Sequence, residues 1–371
     1  MRVVSFFIAA LFIYQTGYDQ TRVTNYPKDD FKVGYSQMTL VDSSRLYKPG
    51  SLVTDSSHFR PIAIDMWYPA NVTEASRVIT FGDLLKTFKQ RAERFTGQLL
   101  PGLDTGIASY LVKTFGGSDS LGLLNHPTNS HYQAIPLNRK FPLVLYLCSY
   151  NGAAHENVDL FESLASKGYV VAAVMSNGRY PGDMTMQAAD LLQQVEDGRF
   201  ILKRLKQEPF VDTLNLGLIG YSWGGPAAAI IGMNSDNVFR ALVSLDGSER
   251  HFYGQEAVED SLWNVIRTSD FYRPMNLTMP YLYVSSDRGQ PKSDSVSYLV
   301  TNDRSTYIQI DSCSHTDFAN YVRYINPLQN KENLRRHELA IEASVAFFDK
   351  WLKGRKKPFT DFLRVKCLRQ L

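Results

Sequence analysis

The sequence predicts an α/β protein built on a mostly parallel, eight-stranded sheet flanked by helices. Two observations carry this: short apolar runs recur along the chain, and segments of helical period separate most of them. Residues 142–147, 169–174, 214–219, 241–245 and 281–284 are nearly continuous apolar stretches. Strands buried on both faces of a sheet read this way. Residues 306–310 are the expected last strand, and 34–41 and the alternating 62–68 two early antiparallel strands. Helices are expected over 159–167, 186–206, 226–233 and 337–352; in the last, Ile341, Val345, Phe348 and Leu352 share a face. Ligands of such sheets bind beyond the carboxyl ends of the strands.

The chain has 371 residues, 44% hydrophobic and 21% charged, the composition of a soluble globular protein with a sizeable core. It shows no internal repeat or long linker, so residues 18–371 are expected to form a single domain. The net charge of +3 is too small, and its Lys and Arg too scattered, for a nucleic-acid-binding protein. At the N-terminus, Arg2 precedes an apolar run from Val3 to Tyr14. That run is short for a bilayer span but suits a secretory signal. Residues 1–17 therefore read as a signal peptide, with an N-terminal anchor as the alternative, and the protein as secreted or periplasmic.

Residues 78–140 break the rhythm of strands and helices and are expected as a helical insertion before the third strand. Phe81, Leu84, Leu85, Phe88, Ala92, Phe95 and Leu99 line one helical face there, with Lys86, Lys89, Arg91 and Arg94 mostly elsewhere. Docking on the core is the favoured reading, ahead of a lid or a lipid-facing surface.

Chemistry concentrates at Gly220-Tyr221-Ser222-Trp223-Gly224. A bare G-x-S-x-G is weak, but here it follows an apolar strand and precedes a helix rich in Gly and Ala. That strand–turn–helix setting is the one a nucleophile elbow of the α/β-hydrolase fold requires, with Ser222 as nucleophile. A serine hydroxyl needs a base and an orienting carboxylate, which follow it in the order Ser, Asp or Glu, His. Of the histidines after Ser222, His251 comes early and His337 opens the expected terminal helix as a surface residue. His315, in a loop just past the last strand, is the expected base. The acid is Asp246 or Asp287, each ending a strand; fold geometry alone leans to Asp287. Cys148, Cys313 and Cys367 show no metal-type spacing, and buried free thiols are favoured over a bridge between Cys148 and Cys313. No P-loop or dinucleotide motif occurs, so no metal and no cofactor are expected.

The chain resembles the platelet-activating factor acetylhydrolase and dienelactone hydrolase-like branch of the α/β-hydrolases. The likeness rests on Arg60-Pro-Ile-Ala-Ile-Asp-Met-Trp-Tyr-Pro-Ala70, Phe141-Pro-Leu-Val144, residues 164–174, the elbow, 312–318 and 346–354, leaving 78–140 unmatched. The resemblance implies Asp246 as the acid, because in the acetylhydrolase branch the carboxylate follows the strand after the elbow helix. It departs at Cys148-Ser-Tyr-Asn-Gly152, where relatives usually carry a His-Gly pair. Backbone N–H groups can still hold an oxyanion there: Trp223 gives one expected donor, and Tyr150 or its neighbour Asn151 the second. The expected activity is hydrolysis of a small-molecule carboxylic ester, short-acyl or phospholipid-like. A serine peptidase of the same fold and an inactive binding protein are the competing readings. Aromatic residues within 249–280, namely Phe252, Tyr253, Trp263, Phe271 and Tyr272, read equally as pocket wall or core.

Overall fold

A computed structural model of the chain describes residues 30–235, 238–254, 256–287, 296–297, 304–364 and 368–370. The expected signal peptide and Cys367 lie outside the described residues. The strands are β1 (Val33–Leu46), β2 (Phe59–Asn71), β3 (Val78–Thr80), β4 (Pro127–Tyr132), β5 (Ile135–Pro136), β6 (Phe141–Leu147), β7 (Val170–Val174), β8 (Val211–Tyr221), β9 (Ala241–Leu245), β10 (His251–Phe252), β11 (Tyr281–Ser285), β12 (Val296–Ser297), β13 (Ser305–Ile310) and β14 (Leu368–Gln370).

The main sheet runs β14-β13-β11-β9-β8-β6-β7-β2-β1-β4-β3, with β5 paired to β2 off that path. Strands β13, β11, β9, β8, β6 and β7 are parallel neighbours. The pairs β7–β2, β2–β1, β3–β4 and β13–β14 are antiparallel, and β1–β4 is parallel. The sheet is therefore mixed and larger than the eight strands expected. The eight expected strands are the contiguous middle of this path; β3, β4 and β14 extend its edges. Those three are short, and β4 and β14 are mostly polar, so no apolar run announces them.

Alternation along β6 shows where the core sits. Leu143, Leu145 and Leu147 pack on one face of the sheet, under helices Ala188–Leu205 and Gly224–Met233. Val144 and Tyr146 pack on the other, under helices Val158–Ser166 and Lys331–Leu352. Both faces are buried, which is why β6 has no polar residue. The terminal helix starts at Lys331, earlier than the sequence suggested, because its first turns are charged and carry no apolar stripe. His337 is consequently buried within it, not on the surface, with Nδ1 3.2 Å from the Asp317 carbonyl.

The 78–140 segment is mixed too: helices Phe81–Thr96, Leu103–Thr114 and Ser120–Asn125 are interleaved with β3, β4 and β5. The first helix begins at a Thr80–Asp83 capping box and ends at Gly97, whose φ of 74° suits glycine. Phe81, Leu84, Leu85 and Phe95 are buried, while Leu99 lies past the cap and is exposed. Arg91 is buried as well. It reaches Asp65 of β2 at 2.5 Å and the Ile64 carbonyl at 3.0 Å, fastening the helix to the sheet. Among the described residues, no helix is long and apolar enough to cross a membrane.

Candidate active site

The site is built where β6, β8, β9, β11 and β13 end. Strand β8 delivers Ser222 at a sharp turn with φ of 54°, and helix Gly224–Met233 starts two residues later. The left-handed backbone is unfavourable for a serine, so the surroundings must impose it. Two glycines make it feasible. A Cβ on Gly224 would lie 1.9 Å from the Leu147 carbonyl oxygen, and one on Gly220 would lie 2.2 Å from the Gly224 oxygen. The turn is pinned by Ser222 N–H donating to the Leu245 carbonyl and by Gly225 and Ser248 N–H donating to the Ser222 carbonyl.

His315 stands in a short 3-10 turn, His315–Phe318, that follows β13 and has its own Ser314–Asp317 capping box. Its Nε2 is 3.0 Å from Ser222 Oγ and its Nδ1 is 2.7 Å from Asp246 Oδ2. A neutral imidazole with its proton on Nδ1 donates to Asp246 and leaves Nε2 free to accept from the serine hydroxyl. Asp246, just past β9, is buried, and its φ is 47°. It also accepts from Ser286 N–H at 2.8 Å and Ser286 Oγ at 2.9 Å, so its lone pairs are well used. Asp287 is placed differently. Its Oδ2 accepts from Ser312 N–H at 2.5 Å, and its own N–H donates to the Cys313 carbonyl. It thus holds the backbone of the loop that carries His315, with no contact to the imidazole. The lean to Asp287 on fold geometry is not what the structure places beside the ring.

The loop after β6 flanks the elbow, with the Tyr150 ring set edge-on to Trp223 at 5.6 Å. Its backbone N–H groups are almost all engaged. Cys148 donates to Val174, Ser149 to Glu156 Oε1, Asn151 to Met184 Sδ and Gly152 to Ser149. The N–H of Tyr150 has no partner among the described residues, nor does that of Trp223. A developing oxyanion needs unpaired N–H groups; that of Trp223 directly follows the serine, and the Tyr150 ring packs against Trp223. Asn151, the alternative donor, sits at φ of 52° with its N–H 3.5 Å from Met184 Sδ, a weak acceptor.

The same region contains residues that sequence reasoning passed over. The Tyr221 ring stacks on the His315 imidazole, with centroids 5.1 Å apart and planes 28° apart. Ser286 backs Asp246, and Glu156 grips Ser149. Tyr221 and Ser286 are adjacent in sequence to Ser222 and Asp287, a proximity that hints at involvement but not at geometry. Trp263 is buried and stacked on His251, while Tyr253, Phe271 and Tyr272 are partly buried and pack against the core. The Phe252 side chain lies outside the described residues. Cys148 and Cys313 are free, buried thiols, both held protonated by burial.

No family model matches the chain, and no curated protein matches it. Among solved structures, it is similar to the ferulic acid esterase from Streptomyces cinnamoneus, with a TM-score of 0.62. That likeness covers 94% of this chain and 98% of the esterase at 20% sequence identity. The two share a fold. The match in fold runs over nearly the whole of both chains.

Proposed function

We propose that the protein is an exported serine hydrolase of the α/β-hydrolase superfamily that cleaves small-molecule carboxylic esters. The observation that carries this reading is the unbroken line Ser222 Oγ, His315 Nε2, His315 Nδ1, Asp246 Oδ2, with separations of 3.0 and 2.7 Å. In this reading Ser222 attacks the ester carbonyl carbon while His315 takes its proton. Asp246 holds the tautomer and stabilises the imidazolium, and the Trp223 and Tyr150 N–H groups receive the oxyanion. Collapse expels the alcohol, protonated by His315, and leaves an acyl-Ser222. Water then attacks that acyl group, losing its proton to His315, and the carboxylic acid departs as Ser222 is reprotonated.

The acid following the strand after the elbow helix favours the acetylhydrolase-like branch, hence short-acyl or phospholipid-like esters. The ferulic acid esterase likeness adds aromatic acyl esters to the range. Export rests on the apolar run from Val3 to Tyr14; N-terminal sequencing of the protein recovered outside the cell tests it. The decisive activity experiment compares initial rates on p-nitrophenyl esters from acetyl upward, methyl ferulate, dispersed phospholipid and peptide amides, for the parent and Ser222→Ala. Ester turnover that disappears in S222A supports the proposal. Equal or faster turnover of amides would turn the reading towards a peptidase. A folded protein that neither hydrolyses esters nor labels with a fluorophosphonate would make it a binding protein.

A further inference from the structure

Glu156 is fully buried, and nothing in the acyl-transfer scheme uses it. It ends the 3-10 turn Ala154–Glu156 immediately after the loop at 148–152. Its Oε1 accepts from Ser149 N–H at 2.9 Å and from the Tyr146 hydroxyl at 2.8 Å, and its Oε2 lies 2.5 Å from Ser149 Oγ. The Tyr146 hydroxyl in turn accepts from Asn157 Nδ2 at 2.7 Å. Ser149 is therefore held by its backbone and its side chain through one carboxyl group. The same group fills the space beside Gly152, where a Cβ would come within 2.4 Å of Glu156 Oε2.

The far side of the loop is tied separately. Met184 N–H donates to Asn151 Oδ1 at 2.9 Å, the Tyr150 hydroxyl donates to the Met184 carbonyl, and Ser176 N–H donates to the Gly152 carbonyl. Between these ties and the Glu156 grip, Tyr150 is the one residue of the loop whose N–H has no partner among the described residues. A loop left to itself would turn that donor to a neighbouring carbonyl or to water.

We propose that Glu156 is the positioning residue of the oxyanion loop: by clamping Ser149 it keeps the following N–H, that of Tyr150, available to the reacting carbonyl oxygen. Burial pushes Glu156 up to about 7, against bonds from Ser149 and Tyr146 that pull it down. Neutral and ionised forms both keep Oε1 open to the Ser149 N–H. An amide can therefore replace the acid, with its oxygen taking the Oε1 bonds and its NH2 donating to Ser149 Oγ.

This inference rests on the serine-hydrolase reading, and the experiment separates the two. Steady-state kinetics on a p-nitrophenyl ester are measured for Glu156→Ala, Glu156→Gln, Ser149→Ala and Ser222→Ala, with melting followed in parallel. In E156A, kcat falls roughly 30- to 100-fold with KM within about threefold, as for a displaced oxyanion donor. Affinity for a trifluoromethyl ketone, which forms a tetrahedral oxyanion on the serine, falls in step. E156Q recovers most of the loss, which a general packing defect would not show. If E156A does not fold, S149A carries the test and loses several-fold in kcat. A folded E156A with parental kcat overturns the proposal, as does an E156Q as impaired as E156A, or an S149A with parental kcat where E156A does not fold. If S222A retains activity, the hydrolase reading fails first, whatever Glu156 does.

Discussion

Tyr221 and His315 are bound face to face and by backbone: the rings stack, and the Tyr221 hydroxyl donates to the His315 carbonyl at 3.0 Å. Burial holds that hydroxyl protonated well above the ordinary tyrosine range, so it remains a donor at any working pH. The residue before the serine thus locks the loop of the residue that faces the serine. Replacing Tyr221 by Phe keeps the ring and removes one hydrogen bond. Since such a bond is worth about 1 kcal/mol, kcat should fall about fivefold with KM unchanged. Tyr221→Leu, which removes the stacking as well, should fall further. Equal kcat in parent and Y221L would show that the imidazole needs no such support.

The two aspartates are separable by substitution. Asp246→Asn leaves an amide where the imidazole N–H needs an acceptor, and kcat should drop by about 10⁴. Asp287→Asn only weakens the grip on Ser312 N–H, so its loss should be about tenfold or less. Single-turnover rates of acylation check both. Comparable losses would mean that the contact between Asp246 and His315 is not the functional one.

Gly224 has no room for a side chain. A Cβ there would meet the backbone oxygens of Leu147 and Cys148 at 1.9 and 2.8 Å, atoms that cannot swing away. Gly224→Ala should destabilise the fold by on the order of 3 kcal/mol, lowering the melting temperature by several degrees. Any enzyme that survives should have lost kcat, because the elbow and the loop after β6 move apart. Thermal denaturation and esterase assays on the same preparation test the two together.

Glu249 predicts a pH dependence of stability. It is buried beside the elbow helix, and burial pushes it from 4.5 up to about 7, despite a bond from the Tyr281 hydroxyl at 2.8 Å. Between pH 4.5 and about 7 the folded chain keeps a proton on this group that the unfolded chain has lost. Its contribution is therefore fully present below pH 4.5 and is lost as pH rises through about 7. Glu249→Gln cannot ionise. It should match the parent at pH 4.5 and exceed it at pH 8 by about 3 kcal/mol, roughly 4 °C in melting temperature. Parallel melting curves for parent and E249Q across this range would refute it.

The sequence by itself determined the middle of the sheet and the position of the elbow. Strands β6 to β9 and β11 are buried on both faces over most of their length and β13 on its apolar positions, so their composition marks them. The elbow is a local motif in which Gly220 is demanded by its contact with Gly224, although Gly224 itself is demanded by the distant backbone of Leu147. The loop holding His315 follows from the same logic, since it must come after the last central strand. The edges β3, β4 and β14 escaped, because all three are short and β4 and β14 are mostly polar, so no apolar run announces them. Only the tertiary structure decided which aspartate faces the imidazole. Asp246 and Asp287 both follow central strands in turn-forming contexts, and the choice depends on two loops meeting across the strand ends. The same holds for the Tyr150 N–H, which has no partner among the described residues while Glu156, Met184 and Asn151 tie the loop on either side of it. Partners distant in the chain set those contacts, and a one-dimensional pattern carries no trace of them.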